Sequence, residues 1–266
     1  MVSIPSIRKA TTRPIILLFG DSITEQGFGY GEVAGGAIGW ASLLSKDYCR
    51  RADVLNRGYS GYNTRHALQI LPTTTNDNDL LFATVFFGAN DAARSGELQH
   101  IPITEYGQNL RRIVHHFRNQ QKETDEEDNN NNNQKKESSL LSTTSSFPPV
   151  ILFTPPPVDG IAWSDRGNEI AKEYGNVVKE VGKELNCSVL DVFTLLEGNE
   201  SVQTYGKYLR DGLHLSEDGN ILLYQGLMKL LQKDYTHLLP KDDDDSGLLP
   251  LDGKLWREMC QEFSNK

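Results

Sequence analysis

Five short apolar runs, set apart by segments of helical periodicity, constrain this chain more than any other feature. They are "PIILLF" (Pro14 to Phe19), "ADVLN" (Ala52 to Asn56), "LLFATVFF" (Leu80 to Phe87), "VILFT" (Val150 to Thr154) and "SVLDV" (Ser188 to Val192). Each has the length of a buried strand rather than a helix. Between them apolar residues recur every three or four positions. Tyr106, Leu110, Ile113, Val114 and Phe117 follow Thr104, a candidate N-cap, and Ile170, Tyr174, Val177, Val178, Val181 and Leu185 form a second stripe. Strands alternating with helices predict an α/β fold with a five-stranded parallel sheet and crossover helices. "LLFATVFF" is apolar almost throughout, as a central strand covered on both faces requires.

At 266 residues the chain suits one large domain spanning residues 1–266. One tract interrupts the alternation. From about Gln120 to Ser146 the sequence is polar, with five consecutive asparagines, and it cannot bury enough apolar surface to offset its ordering entropy. A disordered surface insert is expected at about 120–146, where closing a long loop costs little. The acidic "KDDDDSG" after Pro240 reads as a solvated turn, and the apolar segment at about 247–266, around Trp256, reads as a terminal docking helix.

The formal net charge of -9 argues against nucleic-acid and anionic-membrane partners, which reward clustered Lys and Arg. No run approaches the roughly 18 apolar residues of a membrane span. Cys49, Cys187 and Cys260 are odd in number, widely spaced and without a Cys-x-x-Cys pair. A reducing, cytoplasmic setting is therefore expected. A homodimer is compatible with the sequence, which holds nothing that decides it. The glycine-rich Gly27 to Gly39 does not fit Gly-x-Gly-x-x-Gly, no Gly-x-x-x-x-Gly-Lys loop exists, and His115 and His116 diverge on one helix. Neither a nucleotide cofactor nor a metal is expected.

Polar residues punctuate the chain where the apolar runs end, which is where open α/β sheets place their sites. "GDSIT" delivers Asp21 and Ser22 after the first run, and "RGYSGYNT" (Arg57 to Thr64) offers glycine backbone after the second. "GAND" puts Asn90 at the end of the third, and "DGLHLSEDG" carries Asp211 three residues before His214. Singly, each has a plain structural reading: Ser22 caps a helix, Asn90 pins a loop, and Asp211 with His214 makes a surface turn. Jointly they are the inventory of acyl transfer, a hydroxyl nucleophile, a base, a carboxylate to orient the base, and oxyanion donors.

These four blocks, in this order, resemble those of the SGNH hydrolases, also called GDSL esterases. "FGDSITEQGF" and "RGYSGYNTR" are similar to the isoamyl acetate-hydrolysing esterase branch. The resemblance covers roughly Pro14 to Tyr235. It implies a three-layer, flavodoxin-like α/β/α fold with Ser22 as nucleophile, His214 as base and Asp211 as its orienting acid. The oxyanion donors would be the backbone N–H groups of Ser22 and Gly61 and the side chain of Asn90. The implied function is a cofactor-free serine esterase acting on small acyl, acetate-type esters, with a place in lipid degradation. A carbohydrate deacetylase, lysophospholipase or thioesterase would use the same residues, and an inactive ester-binding or partner-recruiting protein is the non-enzyme alternative. Isoleucine at position 23 departs from the leucine of the family name, and no Gly-x-Ser-x-Gly elbow is present.

Overall fold

The computed structural model describes residues 13–31, 36–74, 80–129, 147–197 and 204–240. All five expected strands are present: β1 (Ile15–Gly20), β2 (Asp53–Gly58), β3 (Leu80–Phe86), β4 (Val150–Phe153) and β5 (Val189–Leu190). They form one sheet in the order β2-β1-β3-β4-β5, and every pairing is parallel. This is the flavodoxin-like order, whose direction of growth reverses beside β1. The carboxyl ends of β1, β2 and β3 therefore converge on one crevice.

The alternation of side chains along each strand explains why the runs are apolar throughout. Ile16, Leu18, Phe82, Phe86, Ile151 and Phe153 face one core, while Leu17, Phe19, Ala83, Val85, Val150 and Leu152 face another. The first core is covered by α2 (Trp40–Asp47), α6 (Val192–Glu197) and α7 (Glu217–Asp234), the second by α3 (Thr64–Thr74), α4 (Ile103–Asn129) and α5 (Asn168–Glu184). Both expected stripes lie on the second side, where Tyr106, Leu110, Ile113, Val114, Phe117, Tyr174, Val178 and Val181 are buried.

Several boundaries differ from the sequence expectation. Helix α4 starts at Ile103, and the Pro102 carbonyl accepts the Tyr106 N–H, so Thr104 lies inside the first turn rather than capping it. The same helix continues to Asn129, into the tract expected to be disordered from Gln120. Its first residues are mostly Gln, Lys and Glu, good helix formers with no Gly or Pro to stop them. Residues 130–146 and the expected docking segment at 247–266 lie outside the described residues. Strand β5 is shorter than "SVLDV" because Asp191 turns the chain. Its Oδ1 accepts the Thr194 N–H at 3.2 Å and its backbone carbonyl accepts that of Leu195, which starts α6. Helix α7 is an addition to the expected elements. Ser216 caps it by accepting the Gly219 N–H at 3.2 Å, and Leu223, Leu227 and Leu231 bury its inner face.

Candidate active site

The crevice is built by the loops that leave β1, β2 and β3 and by the turn that precedes α7. After Gly20 the chain turns at Asp21, whose Oδ1 accepts the Ile23 N–H at 3.0 Å and caps the short helix α1 (Ser22–Glu25). Ser22 thus opens a helix, only 5% exposed, with its N–H in the unpaired first turn. Gly58, at the end of β2, passes so close that a Cβ there would lie 1.9 Å from the Glu25 nitrogen. Gly61 adopts a φ of +78°, a left-handed conformation that glycine takes without strain.

The turn before α7 carries the acid and the base. Asp211 Oδ1 accepts the N–H groups of Leu213 at 3.0 Å and His214 at 2.8 Å, which folds the turn around its own carboxylate. Asp211 Oδ2 lies 2.7 Å from His214 Nδ1, and His214 Nε2 lies 3.0 Å from Ser22 Oγ. Partial burial works against ionising Asp211, but donation from the His214 N–H, its ring and the Leu213 N–H outweighs it, holding the carboxyl below its ordinary value. The Trp163 ring stands edge-on to His214 with centroids 6.0 Å apart, and its Nε1–H donates to the Asp211 carbonyl at 2.9 Å.

Asn90 lies opposite, 4% exposed. One amide hydrogen is given to the Tyr62 carbonyl at 2.8 Å, and Oδ1 accepts from Arg166 Nη2 at 3.0 Å. Gln99 Nε2 donates to the Gly61 carbonyl at 2.9 Å, which ties the Gly61 peptide to the loop after β3. The five residues singled out from sequence are thus held by the ends of three strands and one turn. Ala89 and Leu213, the chain neighbours of Asn90 and His214, line a small pocket with Ala92, Val158 and Arg166, and none of the five residues lines it. Among the described residues, no group of three or more His, Cys, Asp or Glu is placed to hold a metal ion, and no helix is long and apolar enough to cross a membrane.

A GDSL-like lipase/acylhydrolase family model matches residues 18–221, more than half of the chain. The chain belongs to that family. Its members are hydrolases of carboxylic esters, and this chain is an enzyme of that class. Among curated relatives, the isoamyl acetate-hydrolyzing esterase 1 homologs of Mus musculus and Homo sapiens are 36% and 37% identical over 241 residues, covering 85% of this chain and 84% of each relative. A GDSL esterase/lipase of Arabidopsis thaliana is 32% identical over 228 residues, covering 83% of this chain and 86% of the relative. Among solved structures, a lipase/acylhydrolase from Enterococcus faecalis is 25% identical with a TM-score of 0.63, covering 86% of this chain and all of that one. An acetylxylan esterase from Geobacillus stearothermophilus, 21% identical with a TM-score of 0.57 over 84% of this chain and 96% of that one, shares the fold.

The sequence reading missed several residues that the family fold gathers around the site. Arg166, Gln99 and Trp163 sit in loops without periodicity, and only their partners give them meaning. Asp91, next to Asn90, is fully buried. Its Oδ1 accepts from the Thr64 N–H at 2.9 Å and the Thr64 hydroxyl at 2.5 Å, while its Oδ2 and the Oδ2 of Asp21 have no hydrogen-bond partner among the described residues.

Burial pushes the carboxyls of Asp21 and Asp91 up to about 7, against the pull of donors from Ile23 and Thr64. The consequence for stability has a definite sign. Between about pH 4, the ordinary carboxylate range, and pH 7, the folded state holds protons that the unfolded state has released. The contribution of these two groups to stability therefore falls as pH rises through that window and levels off above it. Asp91→Asn keeps an acceptor for Thr64 but cannot ionise. Its melting temperature, followed by circular dichroism from pH 4.5 to 8, is expected to decline less with pH than that of the wild type. Parallel curves for the two proteins would refute the assignment.

Proposed function

We propose that this chain is a serine esterase that hydrolyses short-chain, acetate-type esters through Ser22, His214 and Asp211. The observation that carries this reading is the continuous relay from Asp211 Oδ2 through the imidazole to Ser22 Oγ, at 2.7 and 3.0 Å. Ser22 Oγ attacks the ester carbonyl as its proton passes to His214 Nε2, and the carbonyl oxygen becomes an oxyanion. The N–H groups of Ser22 and Gly61 and the free amide hydrogen of Asn90 stabilise that charge. His214 then protonates the leaving alcohol, and water enters by the reverse steps to release the acid and regenerate Ser22.

The relatives named isoamyl acetate-hydrolyzing esterase support a short acyl chain.

The test is a panel of acyl esters of one leaving group, from acetyl to palmitoyl, with a fluorophosphonate label in parallel. Turnover is expected to be greatest between acetyl and about hexanoyl, with each buried methylene contributing about 0.8 kcal/mol only until the crevice is full. The label is expected on Ser22 and to be lost in Ser22→Ala. Fastest turnover of palmitoyl esters would overturn the substrate reading, and unlabelled Ser22 in a folded protein would overturn the nucleophile.

A further inference from the structure

We infer that Arg166 is a positioning residue that sets the geometry of the oxyanion donors through Asn90 and Gln99. The inference rests on the proposed role of Asn90 as a donor. Arg166 is 3% exposed, and each of its three guanidinium nitrogens donates a hydrogen bond. Nε donates to the Ala89 carbonyl at 3.0 Å, Nη1 donates to Asp165, and Nη2 donates to Asn90 Oδ1 at 3.0 Å and Gln99 Oε1 at 2.5 Å. The Trp163 ring covers it, with Cζ 5.1 Å from the ring centroid.

This arrangement decides which way the Asn90 amide points. An asparagine side chain presents an oxygen and an NH₂ of nearly equal size, so packing alone does not orient it. Here an N–H from Arg166 meets one end and the Tyr62 carbonyl meets the other. A flipped amide would set donor against donor at Arg166 and acceptor against acceptor at Tyr62. Only one orientation satisfies both, and it leaves one Nδ2 hydrogen for a ligand. The same Nη2 also holds Gln99, whose amide is fixed in turn because its nitrogen donates to the Gly61 carbonyl. A single guanidinium group therefore couples two of the three proposed donors, the Asn90 side chain and the Gly61 peptide. Lysine cannot reproduce this, since its one ammonium lacks the planar fork that reaches Ala89, Asn90 and Gln99 together.

Donors that strengthen only as charge develops act on kcat rather than KM. Asn90→Ala is expected to lower kcat by about 10²–10³, the loss typical of one oxyanion donor. Arg166→Lys is expected to lower kcat by about 10-fold or more, but not beyond that of Asn90→Ala, with KM within about twofold, because it acts through that donor. The deciding measurement is a double-mutant cycle on a short acyl ester. In the Asn90→Ala background, Arg166→Lys is expected to cost only about threefold further, since residues acting as one unit are not additive. Gln99→Ala, at a half-buried loop position, is expected to behave likewise and carries the test alone if the Arg166 variant does not fold.

A kcat unchanged in both Arg166→Lys and Gln99→Ala overturns the inference, and so does full additivity with Asn90→Ala. A folded Asn90→Ala enzyme with wild-type kcat instead removes the donor reading on which the inference rests, and the cycle distinguishes the two failures. Affinity for a short alkyl boronic acid, which forms a tetrahedral adduct on serine, is expected to fall in parallel with kcat. A purely structural role for Arg166 would lower apparent kcat with the fraction of folded protein and leave KM and inhibitor affinity unchanged.

Discussion

Ser22→Ala and His214→Ala are each expected to lower kcat by about 10⁶-fold, and the double variant to be scarcely worse than either. The 3.0 Å contact between His214 Nε2 and Ser22 Oγ makes the two side chains one device. Without the hydroxyl there is no attacking atom, and without the imidazole there is nothing to take its proton. Neither change is expected to unfold the chain. Among the described residues Ser22 Oγ bonds to that histidine alone, and the bonds that shape the Asp211 turn come from the backbone N–H groups of residues 213 and 214, which alanine retains. KM should move little, because ground-state binding uses the crevice walls. Steady-state kinetics with circular dichroism on the three variants test this. A folded His214→Ala enzyme with wild-type kcat would remove the proposed base, and a double variant losing the product of the single effects would separate Ser22 from His214.

The sheet was legible in the sequence because strands covered on both faces must be apolar at successive positions. Phe86 faces one core and Phe87 the other. Ser22 and Asn90 stood out for a related reason, whereas Gly61 came only from the resemblance and Asp211 with His214 from their spacing. A polar residue at the end of such a run stands out against it, and parallel strands bring the ends of β1 and β3 to one edge. Arg166 gave no such signal. Its partners Asn90 and Gln99 are 76 and 67 residues away, and "SDRGN" has the composition of any surface loop. Helix α7 was obscured by too much apolar character. In "ILLYQGLMKLL" the apolar residues crowd several faces, so the stripe of Leu223, Leu227 and Leu231 does not separate from its neighbours. The end of α4 misled for the opposite reason, since a polar composition excludes a core but does not exclude a helix.

Asp211→Asn is expected to lower kcat by about 10⁴-fold while leaving the fold and KM nearly intact, and the local bonding explains why so small a change costs so much. Asp211 Oδ1 accepts the N–H groups of Leu213 and His214, whereas Oδ2 faces His214 Nδ1 at 2.7 Å. In asparagine the amide oxygen must stay with the two backbone donors, because turning it would set NH₂ against two N–H groups. The NH₂ therefore occupies the place of Oδ2 and donates to His214 Nδ1. That puts the imidazole proton on Nε2, where it faces Ser22 Oγ as a donor, and a nitrogen that carries a proton cannot accept the one from serine. The turn keeps its backbone bonds, so circular dichroism should be unchanged. Nitrogen-15 spectra of the imidazole should show the proton on Nε2 in the variant and on Nδ1 in the neutral wild type. If the variant carries its proton on Nε2 and still turns over within about tenfold of the wild type, His214 does not accept the Ser22 proton and the proposed relay fails.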